Sequence, residues 1–464
     1  MIVPKLRGVS LLVTVFAICL AAHLVLAVAI TASVPVMTKA DLYSNIAVSL
    51  LEGHGFVGKP NGEPILWRGP LYPAFLAMVY GLWGRENVSA VLITQGVLAA
   101  ATATFVWWIG SQLYGKTVGF LAAIGFAVYP LSAYYTGRFM PESLFTLILT
   151  GVSIAMMWAV RSGKAVHFGI VGALIALATL IKPVALGFAP FLALYVLYRG
   201  RQVLRCAVIQ VVALMSSFVM VVMPWTLRNY TVTGTLIPVA TGVGYSFWSG
   251  NQTISDGRDE REMDEETLHR MVEHRRAILA AYLGRDIEQV AAALGMPRTH
   301  HDVVNITPEE DRALLQAGLN QMLSHPGSTL VLWGKKFYRF WFDIFWPQNR
   351  WAQGYVIAMQ GVFLGLACLG WRRALKEKLS VWPVLLPVAY FTAIYVVTSA
   401  TLRYSVPLAP LLMLFAAIGL CDILSRVPVW TKSFGMKAVE LQQTISFPRL
   451  GHAAVTTSSL WLLL

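Results

Sequence analysis

Seven ionisable residues of this chain have types and positions that suit chemistry at a membrane surface: Asp41, Glu142, Arg68, Arg138, Lys182, Arg228 and Arg403. Asp41 lies in TKADLYSNIAVSLLEGHGF and Glu142 in RFMPESLFTLIL. Two acids brought to one face by different loops can divide the work of a general base and of the group that orients it. Each also has a local explanation. Thr38 can cap a helix whose first turn holds Asp41, and Pro141 followed by Glu142 is a common helix opening. The cations sit in WRGPLYP, RFMPE, LIKP, PWTLRNY and TLRYSVPLAP. Cations at the hydrocarbon–water boundary suit a lipid-borne phosphate, with arginine as a two-pronged donor and lysine as a point charge. The plainer reading of each is a snorkelling anchor. Short outer loops are normally poor in such residues, so Arg138, Lys182 and Arg403 favour a site. Glu52, Glu63, Arg339 and Asp343 fall near the same side, and Tyr43, Tyr72 and Tyr404 are candidates for lining its substrate pocket.

Other chemistry is weakly signalled. His300, His301 and Asp302 lie in a polar, loop-like stretch and read as a solvated cluster rather than a metal site. No GxSxG, HExxH, Walker A or dinucleotide-binding glycine motif occurs in a suitable context. Cys19, Cys206, Cys368 and Cys421 lie in or beside apolar runs and read as buried thiols. No metal ligands are assigned, and a divalent cation is neither required nor excluded by these residues.

The elements that must position this set are membrane helices. Of 464 residues, 57% are hydrophobic and 13% charged, against about 25% charged in soluble domains. The net charge of +13 would suggest nucleic acid in a soluble chain. Here the basic residues cluster in short loops and read as topology determinants, with no nucleic-acid partner. A span needs about 20 apolar residues, and ten candidates occur: 8–31, 88–112, 117–134, 139–160, 166–181, 184–199, 206–226, 353–371, 380–399 and 404–424. The run from Gly8 to Thr31 is read as a first span rather than a cleaved leader. The pair 166–181 and 184–199 is short and joined at Ile181-Lys182-Pro183, which leaves Lys182 sunk below the outer surface. A lysine there is costly unless partnered.

Alternate connections are basic, as at Lys5/Arg7, Lys116, Arg161/Lys164, Arg199–Arg205, Arg372–Lys378 and Arg426–Lys437. These are assigned to the cytoplasm together with both termini. The expected organisation is an N-terminal transmembrane catalytic module over 1–226, an extracytoplasmic segment over 227–352, C-terminal spans over 353–424 and a cytoplasmic tail over 425–464. The first outer loop, 32–87, should carry a surface helix ending at Gly53-His54-Gly55. Asp256–Arg276 suits a charged helix, and LVLWGKKFYRFWFDIFW a helix lying in the interface. His23, ionisable near the midplane, is read as packed.

In order, DLYSNIA, LLEGHGF, RGPLYPAFLAMVYGLWG, RFMPESLFTLIL, IKP, PWTLRNY, GYSFWSGN and LRYSVPLAP resemble bacterial GT-C glycosyltransferases over about residues 8–424. The similarity is to the protein mannosyltransferase-like and the aminoarabinose- or galacturonic-acid-transferase-like groups. It implies an all-α, polytopic GT-C-like bundle and a sugar donor carried on a polyprenyl phosphate. It also implies site roles: Asp41 matches the first-loop acid that activates the acceptor, Glu142 the second acid, and Arg68 and Arg403 cations near the donor phosphate. Lys182, Arg228 and Arg138 join the cations as further candidates. One departure is that Leu42 follows Asp41, where a true protein mannosyltransferase carries an Asp-Glu pair. The implied reaction is an inverting transfer to a hydroxyl of a glycan, lipid or protein, at the outer face of a bacterial cytoplasmic membrane. The rival is a transporter or flippase of lipid-linked saccharides, which should show a polar path across the midplane.

Overall fold

The computed structural model describes residues 3–33, 42–254, 256, 258, 263–284, 306–343, 350–377, 379 and 381–426. Asp41 and the His300–Asp302 cluster lie outside the described residues. Among the described residues the chain forms 17 α-helices and no strand. In lipid, backbone polar groups must be satisfied within the segment itself, which leaves helices as the available solution for apolar runs of this kind.

Among the described residues, six segments are long and apolar enough to cross a membrane. They are α1 (Val3–Ser33), α4 (Val88–Leu113), α7 (Glu142–Ser162), α10 (Leu204–Thr233), α15 (Arg350–Lys376), and the 3-10 turn Leu402–Leu408 continuing into α17 (Ala409–Leu424). Shorter apolar helices are α8 (Ala165–Ile181), α9 (Phe188–Arg199) after the 3-10 turn Pro183–Gly187, and α16 (Trp382–Val397). The protein is thus a multi-pass membrane protein.

The expected span 117–134 is not one helix. α5 (Lys116–Ala127) and α6 (Pro130–Thr136) meet at a 53° bend. Pro130 has no N–H to continue the ladder. His23 of α1 meets the carbonyl of Ala127 at 3.2 Å through Nδ1, and the Thr136 hydroxyl at 2.9 Å through Nε2. Both ring nitrogens of this midplane histidine are therefore spent on the helix break, not on a path across the membrane.

Two helices fill the first outer loop: α2 (Leu42–Leu51), which ends before Gly53 at φ +78°, and α3 (Leu71–Trp83). They pack together through Tyr43 against Tyr72, edge to face at 5.1 Å, and a 2.8 Å hydrogen bond between Ser44 and Tyr80. Elsewhere backbones touch where side chains vanish. A Cβ on Gly370 would lie 1.8 Å from Phe415 O, so α15 and α17 approach at glycine. Cys206 and Cys368 are exposed rather than buried. An apolar run does not imply an interior position when the surrounding solvent is lipid.

The residue 226 boundary falls inside α10, which continues to Thr233 past Pro224. Tertiary bonds hold this extension: Trp225 Nε1 donates to Val239 O at 2.8 Å, and Asn229 Nδ2 donates to Ile237 O and Val239 O. Beyond it, α11 (Val243–Gly250), α12 (Glu265–Leu283) and α13 (Pro308–Ser324) enclose a second small core around Trp248, Met271, Leu279 and Leu314. The charged helix expected over 256–276 starts later, where Asp264 accepts the Thr267 amide. α14 (Pro326–Phe342) exposes Leu330, Val331 and Phe337 while burying Lys336 and Arg339. That inverted face suits a helix lying against lipid.

Asp311 accepts the Tyr245 amide at the start of α11, at 3.0 Å. Burial pushes its carboxyl from 3.8 up to about 6. A folded-state pKa above the unfolded one means that the folded form holds the extra proton, so stability falls as pH rises through this window. Asp311→Asn is therefore expected to melt at a higher temperature than the parent at about pH 8, with the difference closing towards about pH 4. Scanning fluorimetry of the detergent-solubilised protein reads this directly, and parallel pH profiles would contradict it.

Candidate functional site

Glu142 opens α7 directly after Pro141, with 1% of its surface exposed. A carboxylate this deep needs compensation, because desolvating an unpaired charge costs several kcal/mol. Two cations supply it. Lys182 Nζ lies 2.9 Å from Glu142 Oε1, and Arg403 grips the carboxylate with both Nε, at 2.5 Å, and Nη2, at 3.2 Å. The partner that the sequence demands for Lys182 is thus Glu142. Lys182 is held in extended backbone at the break between α8 and the turn Pro183–Gly187. Arg403 comes from the 3-10 turn Leu402–Leu408.

Further groups surround this triad. The Lys182 ammonium stands over the rings of Phe145, at 5.4 Å, and Tyr404, at 5.3 Å. Tyr404 in turn stacks on Tyr395 at 4.5 Å. The Arg68 guanidinium lies over Trp67 at 3.8 Å and Tyr43 at 4.7 Å. Tyr43 is within electrostatic reach of Arg403, and Arg68 of Lys182. Arg138 lies over Tyr134 at 4.3 Å, and Tyr134 feels both Arg138 and Arg403. Four cations and one carboxylate thus gather among the described residues from the first outer loop, the α6–α7 corner, the α8–α9 break and the turn before α17. The site therefore crosses the expected module boundary at 226, since Arg403 and Tyr404 come from the C-terminal spans.

Close backbone approach makes this convergence possible. Gly69 follows Arg68, and a Cβ on it would sit 2.3 Å from Leu180 O and 3.0 Å from Ile181 O. The absent side chain lets the Arg68 loop lie against the end of α8, immediately before Lys182.

Other expected members are placed differently. Arg228 donates to Ile65 O at 3.2 Å and lies over Trp225 at 4.8 Å and Phe56 at 5.5 Å. These contacts tie the first loop to α10 and include none of the Glu142 group. Tyr72 is wholly buried, with its hydroxyl donated to Gln95 Oε1 at 3.0 Å. Arg339 pairs with Asp256, which also binds Lys335 at 2.8 Å, and Glu52 pairs with Arg85. Asp41 itself is outside the described residues, though α2 begins at the next position and carries Tyr43 into the group. Gln95, Tyr134 and Tyr395 went unnoticed at the level of sequence. Only Gln95 offers a signal, as an amide within an apolar span.

Residues 67–226 match the family model described as dolichyl-phosphate-mannose-protein mannosyltransferase. The matched stretch contains Arg68, Arg138, Glu142 and Lys182, begins after Asp41 and ends before Arg403. Comparison with curated proteins gives no significant sequence match. In three dimensions the chain is similar to the oligosaccharyltransferase AglB of Archaeoglobus fulgidus in complex with an inhibitory peptide and a dolichol-phosphate. The TM-score is 0.53 at 12% identity, over 92% of this chain and 52% of that one. The apo form of the Archaeoglobus fulgidus oligosaccharyltransferase gives 0.54 at 12% identity, over 91% and 51%. The chain carries a GT-C glycosyltransferase fold. ArnT of Cupriavidus metallidurans bound to undecaprenyl phosphate aligns over 91% of this chain and 80% of that one, with 13% identity and a TM-score of 0.38. The chain spans about half the length of the archaeal GT-C proteins that it resembles.

Two substitutions test the geometry of this candidate site. Glu142→Gln strands Lys182 and Arg403 without their counter-charge and should destabilise the protein by about 3–5 kcal/mol. Adding Lys182→Met should recover part of that loss, which a double-mutant cycle of thermal or denaturant unfolding in micelles would measure. Gly69→Ala should force the Arg68 loop off α8. Its melting temperature should drop, and an unchanged value would show that the loop does not depend on this contact.

Proposed function

We propose that this protein is an inverting glycosyltransferase that moves a sugar from a polyprenyl-phosphate donor to an acceptor hydroxyl. The observation that carries this reading is the gathering, among the described residues, of the cations Arg68, Arg138, Lys182 and Arg403 with the buried carboxylate of Glu142. Such a gathering of cations suits a leaving phosphate that gains negative charge as the glycosidic bond breaks. The similarity to an oligosaccharyltransferase in complex with a dolichol-phosphate supports the same donor class.

In this mechanism the acceptor is a glycan, a lipid or a protein. Asp41 takes the proton of its hydroxyl as the oxygen attacks the anomeric carbon from the face opposite the phosphate. Polyprenyl phosphate departs towards Arg68 and Arg403, with Arg138 completing the cationic wall. Glu142 does not serve as the base. Its oxygens are already committed to Lys182 and Arg403, and its work is to hold those two cations in place. Tyr43 and Tyr404 line the pocket beside them. Arg228 anchors the first loop rather than touching the phosphate.

The ten-span reading, with alternate basic connections inside, puts both termini in the cytoplasm and the reaction at the outer face of a bacterial inner membrane. On that reading 227–352 is the extracytoplasmic segment, whose described helices α11 to α14 are able to border the acceptor path, and 425–464 is a cytoplasmic tail.

Proteoliposomes containing the full chain, given a panel of labelled polyprenyl-phosphate sugars, should transfer label from one of them. Asp41→Asn should lower that transfer by about 10²–10⁴-fold while donor binding persists. Parent-level turnover by Asp41→Asn would remove Asp41 from the role of base.

A further inference from the structure

Gln95 stands on α4 with no exposed surface. Its Nε2 donates to Thr136 O at 2.9 Å and to Arg138 O at 2.8 Å, and its Oε1 accepts from the Tyr72 hydroxyl at 3.0 Å. Both amide hydrogens are thus used on carbonyls at the corner between α6 and α7, where the helical ladder is interrupted. A buried carbonyl at membrane depth has no water to turn to, so such a partner is strongly favoured. The same corner is gripped from two other sides, since the Thr136 hydroxyl meets His23 Nε2 and, at 3.1 Å, Ser143 Oγ.

The other end of the amide points to the opposite wall of the site. Tyr72 meets Tyr43 edge to face at 5.1 Å, and Tyr43 carries the Arg68 guanidinium at 4.7 Å. One side chain therefore joins the backbone of Arg138 to the aromatic platform of Arg68. Glutamine is the side chain that fits, because it donates twice and accepts while remaining neutral. Glutamate would only accept, and would face two carbonyl oxygens. Leucine would remove the donor to the Thr136 carbonyl, one of two donors to the Arg138 carbonyl, which also accepts the Met140 amide at 2.8 Å, and the acceptor of the Tyr72 hydroxyl.

We infer that Gln95 is a positioning residue that sets the separation of Arg68 and Arg138, and so the fit of the cationic wall to the donor's phosphate. This rests on the proposed role of the site as a pocket for a polyprenyl-phosphate sugar. Gln95 touches no substrate in this scheme. It acts through Tyr72 and Tyr43 on one side and through the α6–α7 corner on the other.

The test uses the full chain in nanodiscs, titrated with a polyprenyl monophosphate and read by intrinsic fluorescence, for which Trp67 under Arg68 is a local reporter. Affinities are compared as variant-to-parent ratios, which cancels the titration of the probe itself. Gln95→Glu should weaken binding about tenfold at about pH 8. Its ratio should return towards one at about pH 5, where a protonated carboxyl regains a donor. Gln95→Leu should lose affinity to a similar degree with no recovery at low pH. Tyr72→Phe, which leaves both carbonyl bonds in place, should lose about threefold. Arg68→Gln controls for the site itself. If it binds the phosphate as the parent does, the proposed donor pocket fails. If Arg68→Gln is weakened while the Gln95 variants bind like the parent, only the positioning role is overturned. A pH-independent loss in Gln95→Glu that matches Gln95→Leu would also overturn it, as the mark of a merely structural defect. Should Gln95→Glu not fold, Gln95→Leu and Tyr72→Phe decide by the same ratios.

Discussion

A carboxylate buried at the mouth of a membrane helix cannot stand alone, and the architecture of this protein follows from how Glu142 is compensated. Two cations reach it from segments 40 and 261 positions away in the chain. Bringing them there requires α8 to break at Lys182 and the C-terminal spans to deliver Arg403 to the same point. The low dielectric around the triad makes the pairing strong, and makes the loss of any member costly. The triad is therefore both a structural lock between the N-terminal and C-terminal spans and the fixed part of the candidate site.

The remaining cations lie against aromatic faces. Arg68 lies on Trp67 and Tyr43, and Arg138 lies on Tyr134. A guanidinium over a ring is oriented by the attraction between the cation and the π face. Glu142, Lys182 and Arg403 build the frame, and aromatic side chains orient Arg68 and Arg138 beside it.

Helix breaks supply every member of the group. Pro70 follows Arg68 and Gly69, Pro141 precedes Glu142, Pro183 follows Lys182, and Pro407 lies within the turn that carries Arg403. In lipid each break frees backbone groups that need new partners, and buried polar side chains answer that need. His23 and Gln95 are both committed to the α5–α6–α7 break. Polar residues inside these spans are better understood as mends of the backbone than as steps of a transport path. Matching hydrophobicity alone could not reveal this, because the segment 117–134 reads as continuously apolar despite its 53° bend.

The sequence by itself determined the helical, membrane-embedded class, the prolines and glycines at which several helices break, and the identity of most charged candidates. Those properties depend on local hydrophobicity and on proline and glycine chemistry, which a linear chain displays directly. It also marked Lys182 as a charge in need of a partner without saying which. Tertiary structure chose Glu142 and Arg403, separated Arg228, Arg339 and Glu52 from the group, and gave Gln95 its work. These outcomes depend on which helix ends meet in space. The physical reason is that charge pairing in a low-dielectric interior is decided by distances of a few ångströms between segments far apart in the chain, and no local pattern records those distances.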